Sequence, residues 1–301
     1  MRNIACFDIG GTYIKYGVVS CIGDIIFKSK FKTPDKDCKN NVPAEIVDKI
    51  KELRGQYGIG SVGISTAGQV NTEKGEVVFA SENLPGYSGA KLSETINKET
   101  GLECYVENDV NAAALGEMWK GAGQNLDTFV CIALGTGIGG AIVINRKLYK
   151  GLGEGAGEFG HMIINEAGEA CGCGAAGCYE RYGSTSALVR NYAKSAKVNP
   201  KTVSGEYIME AVKRKEIAAV AVYNDFLNSI VTGLVNVTHI LDPGTIVIGG
   251  GISAQGKPFF DEINRRFSER VMQSYGKYTK IIPAQLENDA GLLGACYTAI
   301  V

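Results

Sequence analysis

Apolar residues Ile4 to Phe7 form a short run that stops at Asp8-Ile9-Gly10-Gly11-Thr12. Beyond it Tyr13, Ile14, Lys15, Tyr16, Gly17, Val18 and Val19 resume an alternating, strand-like pattern. Strand pattern on both sides of a glycine turn predicts a hairpin with exposed backbone at its tip. Asp24 to Phe31 can supply a third strand. Between Val42 and Leu53 the apolar positions Ile46, Val47, Ile50 and Leu53 move to helical spacing, with Gly55 beyond as a stop. Ser61 to Thr66 reads as a buried strand entering the Ala67-Gly68 turn, Leu92 to Glu99 as a short helix and Glu103 to Val106 as a short strand. Asn108-Asp109 then precede Val110 to Lys120, an alanine-rich helix.

The opening pattern returns after Gly121-Ala122-Gly123. Thr128 to Leu134 is an apolar strand, Gly135-Thr136-Gly137-Ile138-Gly139-Gly140 a turn, and Ala141 to Ile144 a further strand. Such an echo predicts a duplicated unit and two related domains, as does a length of 301 residues against the usual ~150 per domain. Residues 186–240 are mostly helical in pattern, Thr245 to Ile248 is a β-branched strand running into three glycines, and Asp289 to Ile300 reads as a terminal helix. Strands alternating with helices place the chain in the α/β class.

Composition narrows the function. Lys+Arg 31 against Asp+Glu 32 leaves a net charge of -1, which removes the basic footprint that nucleic acid or an anionic membrane requires. No run approaches the ~18 uncharged apolar residues of a membrane span, and the N-terminus lacks a signal-peptide layout, so a cytoplasmic protein is expected. Glycine supplies 40 residues without a period, which assigns glycine to many specific turns. The 9 cysteines are odd in number and dispersed apart from a cluster at 171, 173 and 178, as fits a reducing compartment.

The glycine turns carry the first chemistry. Glycine at a strand end lets backbone N–H groups approach a phosphate, although a hairpin also needs glycine merely to turn. A Rossmann fingerprint must open a helix, whereas Gly135-x-Gly137-x-Gly139 runs into the β-branched Ala141-Ile-Val-Ile144, and no P-loop is present. Both tips carry a threonine (Thr12, Thr136) able to bond phosphate, and Asp8 can hold Mg²⁺ through water. Asp109, directly before a helix, serves either as an N-cap or as the general base of a phosphoryl transfer, and the two roles are compatible.

The most specific spacing is His161 followed by Cys171-Gly-Cys173 and Gly177-Cys178. Three thiolates and one imidazole complete a tetrahedral zinc site with no open position, hence a structural rather than a catalytic metal; free thiols or a disulfide are the alternatives. Glu158 and Glu180 flank this loop, and His161 keeps a second nitrogen, an arrangement suited to a polyhydroxyl ligand. Asn83 and Asn108 are further candidate partners.

These residues resemble the ROK family of bacterial sugar kinases and sugar-responsive repressors over nearly the whole chain. The likeness runs through Asp8-Ile-Gly-Gly-Thr12, Glu107-Asn-Asp-Val-Asn-Ala112, Leu134-Gly-Thr-Gly-Ile-Gly-Gly140 and Gly157-Glu-Phe-Gly-His161. It continues in Cys171-Gly-Cys-Gly-Ala-Ala-Gly-Cys-Tyr-Glu180, Ile248-Gly-Gly-Gly-Ile252 and Asp289-Ala-Gly-Leu-Leu-Gly294. The resemblance implies an actin-like (ribonuclease H-like) ATPase fold with two domains around an active-site cleft. The first would span 1–117 with the terminal helix 289–301 packed back on it, and the second 118–288. It also implies Mg-ATP held by Asp8, Gly10, Gly11, Thr12, Lys15, Thr136, Gly137, Gly250 and Gly251. Asp109 would deprotonate a sugar hydroxyl, typically the 6-hydroxyl, and Gly68, Asn83, Asn108, Glu158, His161 and Glu180 would hold the sugar. A homodimer or homotetramer would follow, with glucose, N-acetylmannosamine or a β-glucoside as substrate.

Two positions depart from the family pattern. Tyr13 stands where the family often has lysine, with Lys15 two residues on along the same strand face. Gly63-Ile-Ser-Thr-Ala-Gly68 lacks the proline of the family's sugar loop. The rival class is a sugar-sensing regulator without kinase activity. Family repressors carry a helix-turn-helix domain ahead of the first glycine hairpin, whereas Asp8 here lies only seven residues in.

Overall fold

A computed structural model describes residues 3–301. The chain divides into two compact units. One comprises residues 3–127, Ile142–Ala156 and Gln285–Val301, the other Thr128–Ala141 and Gly157–Ala284.

The strands are β1 (Asn3–Ile9), β2 (Tyr13–Val19), β3 (Ile25–Lys32), β4 (Ile59–Thr66), β5 (Gln69–Asn71), β6 (Glu76–Phe79), β7 (Glu103–Asn108), β8 (Phe129–Leu134), β9 (Ile138–Ile144), β10 (Lys147–Leu148), β11 (Thr245–Gly249) and β12 (Lys280–Pro283). The helices are α1 (Cys38–Tyr57), α2 (Leu92–Thr100), α3 (Asp109–Lys120), α4 (Glu180–Gly183), α5 (Thr185–Ala196), α6 (Gly205–Lys213), α7 (Ile217–Leu241), α8 (Lys257–Arg270), α9 (Gln273–Gly276) and α10 (Ala290–Thr298).

In the first unit the sheet order is β3-β2-β1-β4-β7. The first three strands form an antiparallel meander, and β4 and β7 join in parallel on the other side of β1. β1 is central and covered on both faces, which is why Ile4 to Phe7 is continuously apolar rather than alternating. One face packs on α1 and α2 through Val42, Ile46, Ile50, Leu92 and Ile96. The other packs Ile4, Cys6 and Val19 against Leu292, Leu293, Ala295 and Cys296 of α10. α10 also crosses α3 closely: a Cβ on Gly294 would lie 1.7 Å from the Ala112 carbonyl oxygen, so only glycine lets the backbones approach this far. The hairpin β5–β6 forms a separate two-stranded sheet.

The second sheet runs β10-β9-β8-β11-β12, with β11 parallel to β8 and β12. Setting aside the β5–β6 hairpin, this is the same order as the first sheet, third-second-first-fourth-fifth. The expected echo of strand, glycine turn, strand is therefore an echo of topology. The turn is shorter than the glycines imply: it is confined to Gly135–Gly137, and β9 already begins at Ile138 and takes in Gly139 and Gly140, continuing into the β-branched residues as a strand rather than a helix.

α7 is long and apolar enough to cross a membrane by length and composition, the one such helix among the described residues. It comes nearer to a span than the run-length criterion implies. Asp225 interrupts it, and its buried residues Phe226, Leu227, Ile230, Val231, Leu234 and Val237 lie on a helix flanked by α4, α5, α6 and α8. That is the profile of a core helix.

Candidate functional site

In the first unit, the hairpin carries Asp8 near the end of β1 and Lys15 directly opposite on β2. Asp8 Oδ1 accepts from Ser65 Oγ at 2.8 Å, and its Oδ2 lies 3.3 Å from Lys15 Nζ. Lys15 also donates to Asn288 Oδ1 at 3.3 Å. The first turn of α10 backs the same carboxylate: a Cβ on Gly291 would stand 2.6 Å from its carboxyl carbon. Tyr13, at the family's lysine position, is instead exposed under the Lys30 ammonium, 4.6 Å from the ring centroid. Gly11 and Thr12 form the exposed tip, with Gly10 just inside it. Thr33 Oγ1 pins that tip by donating to the Gly10 carbonyl at 2.7 Å. Asn83 stands against Gly11, its carbonyl oxygen 3.1 Å from where a Gly11 Cβ would be.

At the β7–α3 junction the N-cap is Asn108 rather than Asp109. Asn108 has extended backbone, and its Oδ1 accepts from the Val110 and Asn111 N–H groups. Its Nδ2 donates to the Gly68 carbonyl and to Asp109 Oδ1, both at 3.0 Å. The asparagine therefore ties the Gly68 turn to the start of α3. Asp109, relieved of capping, is the first helical residue. Burial, and after it the nearby Asp8 carboxylate, push its carboxyl up to about 6, against the pull of hydrogen bonds from Val110 N–H and the Asn108 amide.

In the second unit, His161, Cys171, Cys173 and Cys178 gather with all four donor atoms within 4.8 Å of one another. Cys171 Sγ is 3.7 Å from His161 Nδ1, and Cys173 Sγ is 3.6 Å from Cys178 Sγ. A tetrahedral ion with metal–sulfur bonds of ~2.3 Å and a metal–nitrogen bond of ~2.0 Å requires edges of about 3.8 Å and 3.5 Å, so the donors fit zinc. The three sulfurs are thiols, not bridged. The Ala175 backbone N–H, with bonds from the other two thiols, draws Cys173 down to about 7, whereas burial pushes Cys178 up to about 12.

Around this cluster Glu180 opens α4, and its Oε1 accepts from the Cys171 thiol at 3.3 Å. Its Oε2 faces Gly137, 2.7 Å from where a Cβ would stand. Glu158 Oε2 lies 4.0 Å from His161 Nε2, so one imidazole nitrogen faces the sulfurs and the other an acid. Thr136 is exposed on the second hairpin turn. Gly250, at φ 84, and Gly251 follow β11; a Cβ on Gly250 would meet the Leu134 carbonyl oxygen at 2.3 Å. The structure thus brings together Asp8 with Lys15, Gly11 with Asn83, and Gly68 with Asn108 and Asp109. It likewise joins Gly137 and Glu180 to the cysteine cluster. Sequence reasoning gave no role to Ser65, which meets Asp8, or to the pair of Glu107 and Lys150, because in both cases the partners are distant along the chain.

Two sheets of one strand order, with a glycine turn after the first strand of each, define the actin-like ATPase fold. The chain belongs to the ROK family, whose profile matches residues 4–300. It is 36% identical to a glucokinase of Streptomyces coelicolor, over 96% of this chain and 94% of that one. It is equally 36% identical to a β-glucoside kinase of Listeria monocytogenes, over 98% and 96%. Among solved structures, a ROK family glucokinase from Streptomyces griseus in complex with glucose and AMPPNP matches with a TM-score of 0.84 at 33% identity. That match covers 98% of each chain.

Proposed function

We propose that this chain is an ATP-dependent sugar kinase that phosphorylates the 6-hydroxyl of a hexose or hexose derivative: glucose, N-acetylmannosamine or a β-glucoside. The observation that carries the reading is Asp109, a carboxyl at a helix start, raised to about 6 and facing the field of a second carboxylate, Asp8. Such a group stays largely ionised at neutral pH yet is more basic than free aspartate, as a general base must be. It accepts the hydroxyl proton as the sugar oxygen attacks the γ-phosphorus. The kinase relatives, one of them bound to glucose and a nucleotide analogue, support the same chemistry.

Mg-ATP, when bound, supplies the phosphoryl group and the counter-charge for it. Exposed backbone at Gly10, Gly11, Gly137, Gly250 and Gly251, with the Thr12 and Thr136 hydroxyls, suits phosphate oxygens. Asp8, held by Ser65 and Lys15, suits water-mediated Mg²⁺, and Lys15 places a cation beside it. Gly68, Asn83, Asn108, Glu158, His161 and Glu180 are the sugar-binding set. Because the Asn108 amide is engaged with Gly68 and Asp109, its first role is to hold that turn beside the base. His161, Cys171, Cys173 and Cys178 would hold a structural zinc, which would fix the orientation of the His161 ring. We further assign the protein to the cytoplasm as a homodimer or homotetramer, with neither nucleic acid nor membrane as partner.

The test is Asp109→Asn. Turnover should fall by at least a thousandfold while sugar and nucleotide affinities, read by calorimetry, stay within a few fold of wild type. Retained turnover would place the base elsewhere.

A further inference from the structure

Glu107 is almost fully enclosed, at 2% exposure, and sits two residues before Asp109. A buried carboxylate needs compensation for each of its oxygens. Its Oε1 accepts from the Asn108 N–H and from Asn111 Nδ2, each at 3.0 Å. Its Oε2 lies 2.6 Å from Lys150 Nζ. Lys150 comes from the segment that follows β10, far along the chain, and also donates to Thr72 Oγ1 at 3.1 Å. Thr72 then donates its hydroxyl to Glu154 Oε1 at 3.1 Å and its N–H to Glu154 Oε2 at 2.8 Å. Glu154 is held at φ 57, a left-handed backbone that a non-glycine residue adopts only when its surroundings impose it. Gln69 Nε2 donates to the Gly153 carbonyl at 3.1 Å, and Asn108 Nδ2 donates to the Gly68 carbonyl.

These bonds close a ring. It runs from the start of α3 through Gly68 and Gln69 to Gly153 and Glu154, then through Thr72 and Lys150 to Glu107, and back to the backbone N–H of Asn108. Three segments distant in sequence meet in it, and all belong to the first unit. A surface ion pair would contribute little to such a ring. This one is short, its acid is enclosed, and every other bond on Glu107 comes from residues beside Asp109.

We propose that Lys150 is a positioning residue of the phosphoryl transfer: by pairing with Glu107 it locks the β7–α3 junction, and with it the Asp109 carboxylate, against the Gly68–Thr72 and Gly151–Glu154 segments. The proposal rests on the kinase reading. Misplacing a catalytic group by about 1 Å costs on the order of a hundredfold in rate while leaving distant ligand contacts untouched. Lys150→Met strips the cation and leaves Glu107 Oε2 buried without its partner; Lys150→Arg keeps the charge.

The experiment compares Lys150→Met and Lys150→Arg with wild type in steady-state kinetics and in backbone hydrogen exchange. For Lys150→Met, kcat should fall tenfold to a hundredfold, with KM for ATP and sugar within about threefold of wild type. Lys150→Arg should recover at least a third of kcat. Peptides covering residues 107–112 and 69–73 should exchange faster in Lys150→Met, as well as the 149–156 peptide itself. A kcat within twofold of wild type, or faster exchange confined to 149–156, would overturn the proposal even if the melting temperature drops. Should Lys150→Met fail to fold, Thr72→Val removes the bridging hydroxyl at nearly constant shape. It should lower kcat severalfold at unchanged KM, and an unchanged kcat would again overturn the proposal. If wild type itself turns over no sugar, the kinase reading fails, and the exchange comparison still decides whether the ring holds the Asp109 junction.

Discussion

Asp109 meets two opposed demands. Its ordinary value of 3.8 is raised to about 6, mainly by burial. Between those values the folded chain holds more protons than the unfolded one, so stability falls as pH rises through this window and is level above it. With Asp109 in the proposed role of base, the rate depends on the carboxylate fraction, so kcat/KM should fall as pH drops below about 6, with a single-proton acid limb. Asp109→Asn should therefore abolish turnover and yet stabilise the fold at pH 7 by on the order of 2 kcal/mol, raising Tm by a few degrees. A Tm lower than wild type would contradict the assigned desolvation. At this scale the sequence shows an acid before a helix and leaves cap and base as alternatives. The structure gives capping to Asn108, a distinction invisible in an Asn-Asp pair because either residue caps well. That Lys15 shares a strand face with Tyr13 was legible from alternation, since residues two apart point the same way, and on that face it pairs with Asp8. Ser65 was not, because a serine in a buried strand has no local signal for the partner it finds on the neighbouring strand.

Among the elements, the α3–α10 crossing is the least tolerant. Gly294→Ala would drive a Cβ to within 1.7 Å of the Ala112 carbonyl oxygen, a backbone atom that cannot swing aside. Denaturant titration should show a loss of more than about 3 kcal/mol. Gly55→Ala on α1 is the control: nothing lies within 4 Å of the new methyl, and helix propensity alone should add roughly 0.5–1 kcal/mol. Elements with a clear apolar pattern, including the short strands β7 and β11, were legible in the sequence, and those without one were not. β5, β10 and β12, of 3, 2 and 4 residues, offer too few positions for alternation to register. α8 buries Phe259, Phe260, Ile263 and Phe267, but its other positions are largely charged and obscure the stripe. α1 begins at Cys38, one turn before the Val42-Pro43 start that proline favours; the buried Cys38 thiol donates to the Pro34 carbonyl at 3.1 Å and draws that turn into the helix.

Across the whole molecule, the duplication was visible because both halves open with glycine between strands, and the two sheets share one strand order. The cysteine cluster was legible for a different reason: its four donors fall within one stretch of chain, from His161 to Cys178. The Glu107–Lys150 ring was hidden because its members are separated in sequence and meet only through packing. Metal analysis of the purified protein should find one zinc per chain. Stripping it with a chelator should lower Tm by several degrees, because binding free energy at a structural site is folding free energy. No metal and an unchanged Tm would reduce the cluster to plain thiols.

Sugar-kinase activity is read directly as ADP release from Mg-ATP across glucose, N-acetylmannosamine, N-acetylglucosamine, fructose, allose, mannose and cellobiose. Turnover should show a clear preference for one sugar among glucose, N-acetylmannosamine and the β-glucoside, and should be lost in Asp109→Asn. Sugar binding without ADP release by folded, zinc-loaded wild type would contradict the kinase reading and make the chain a sensor.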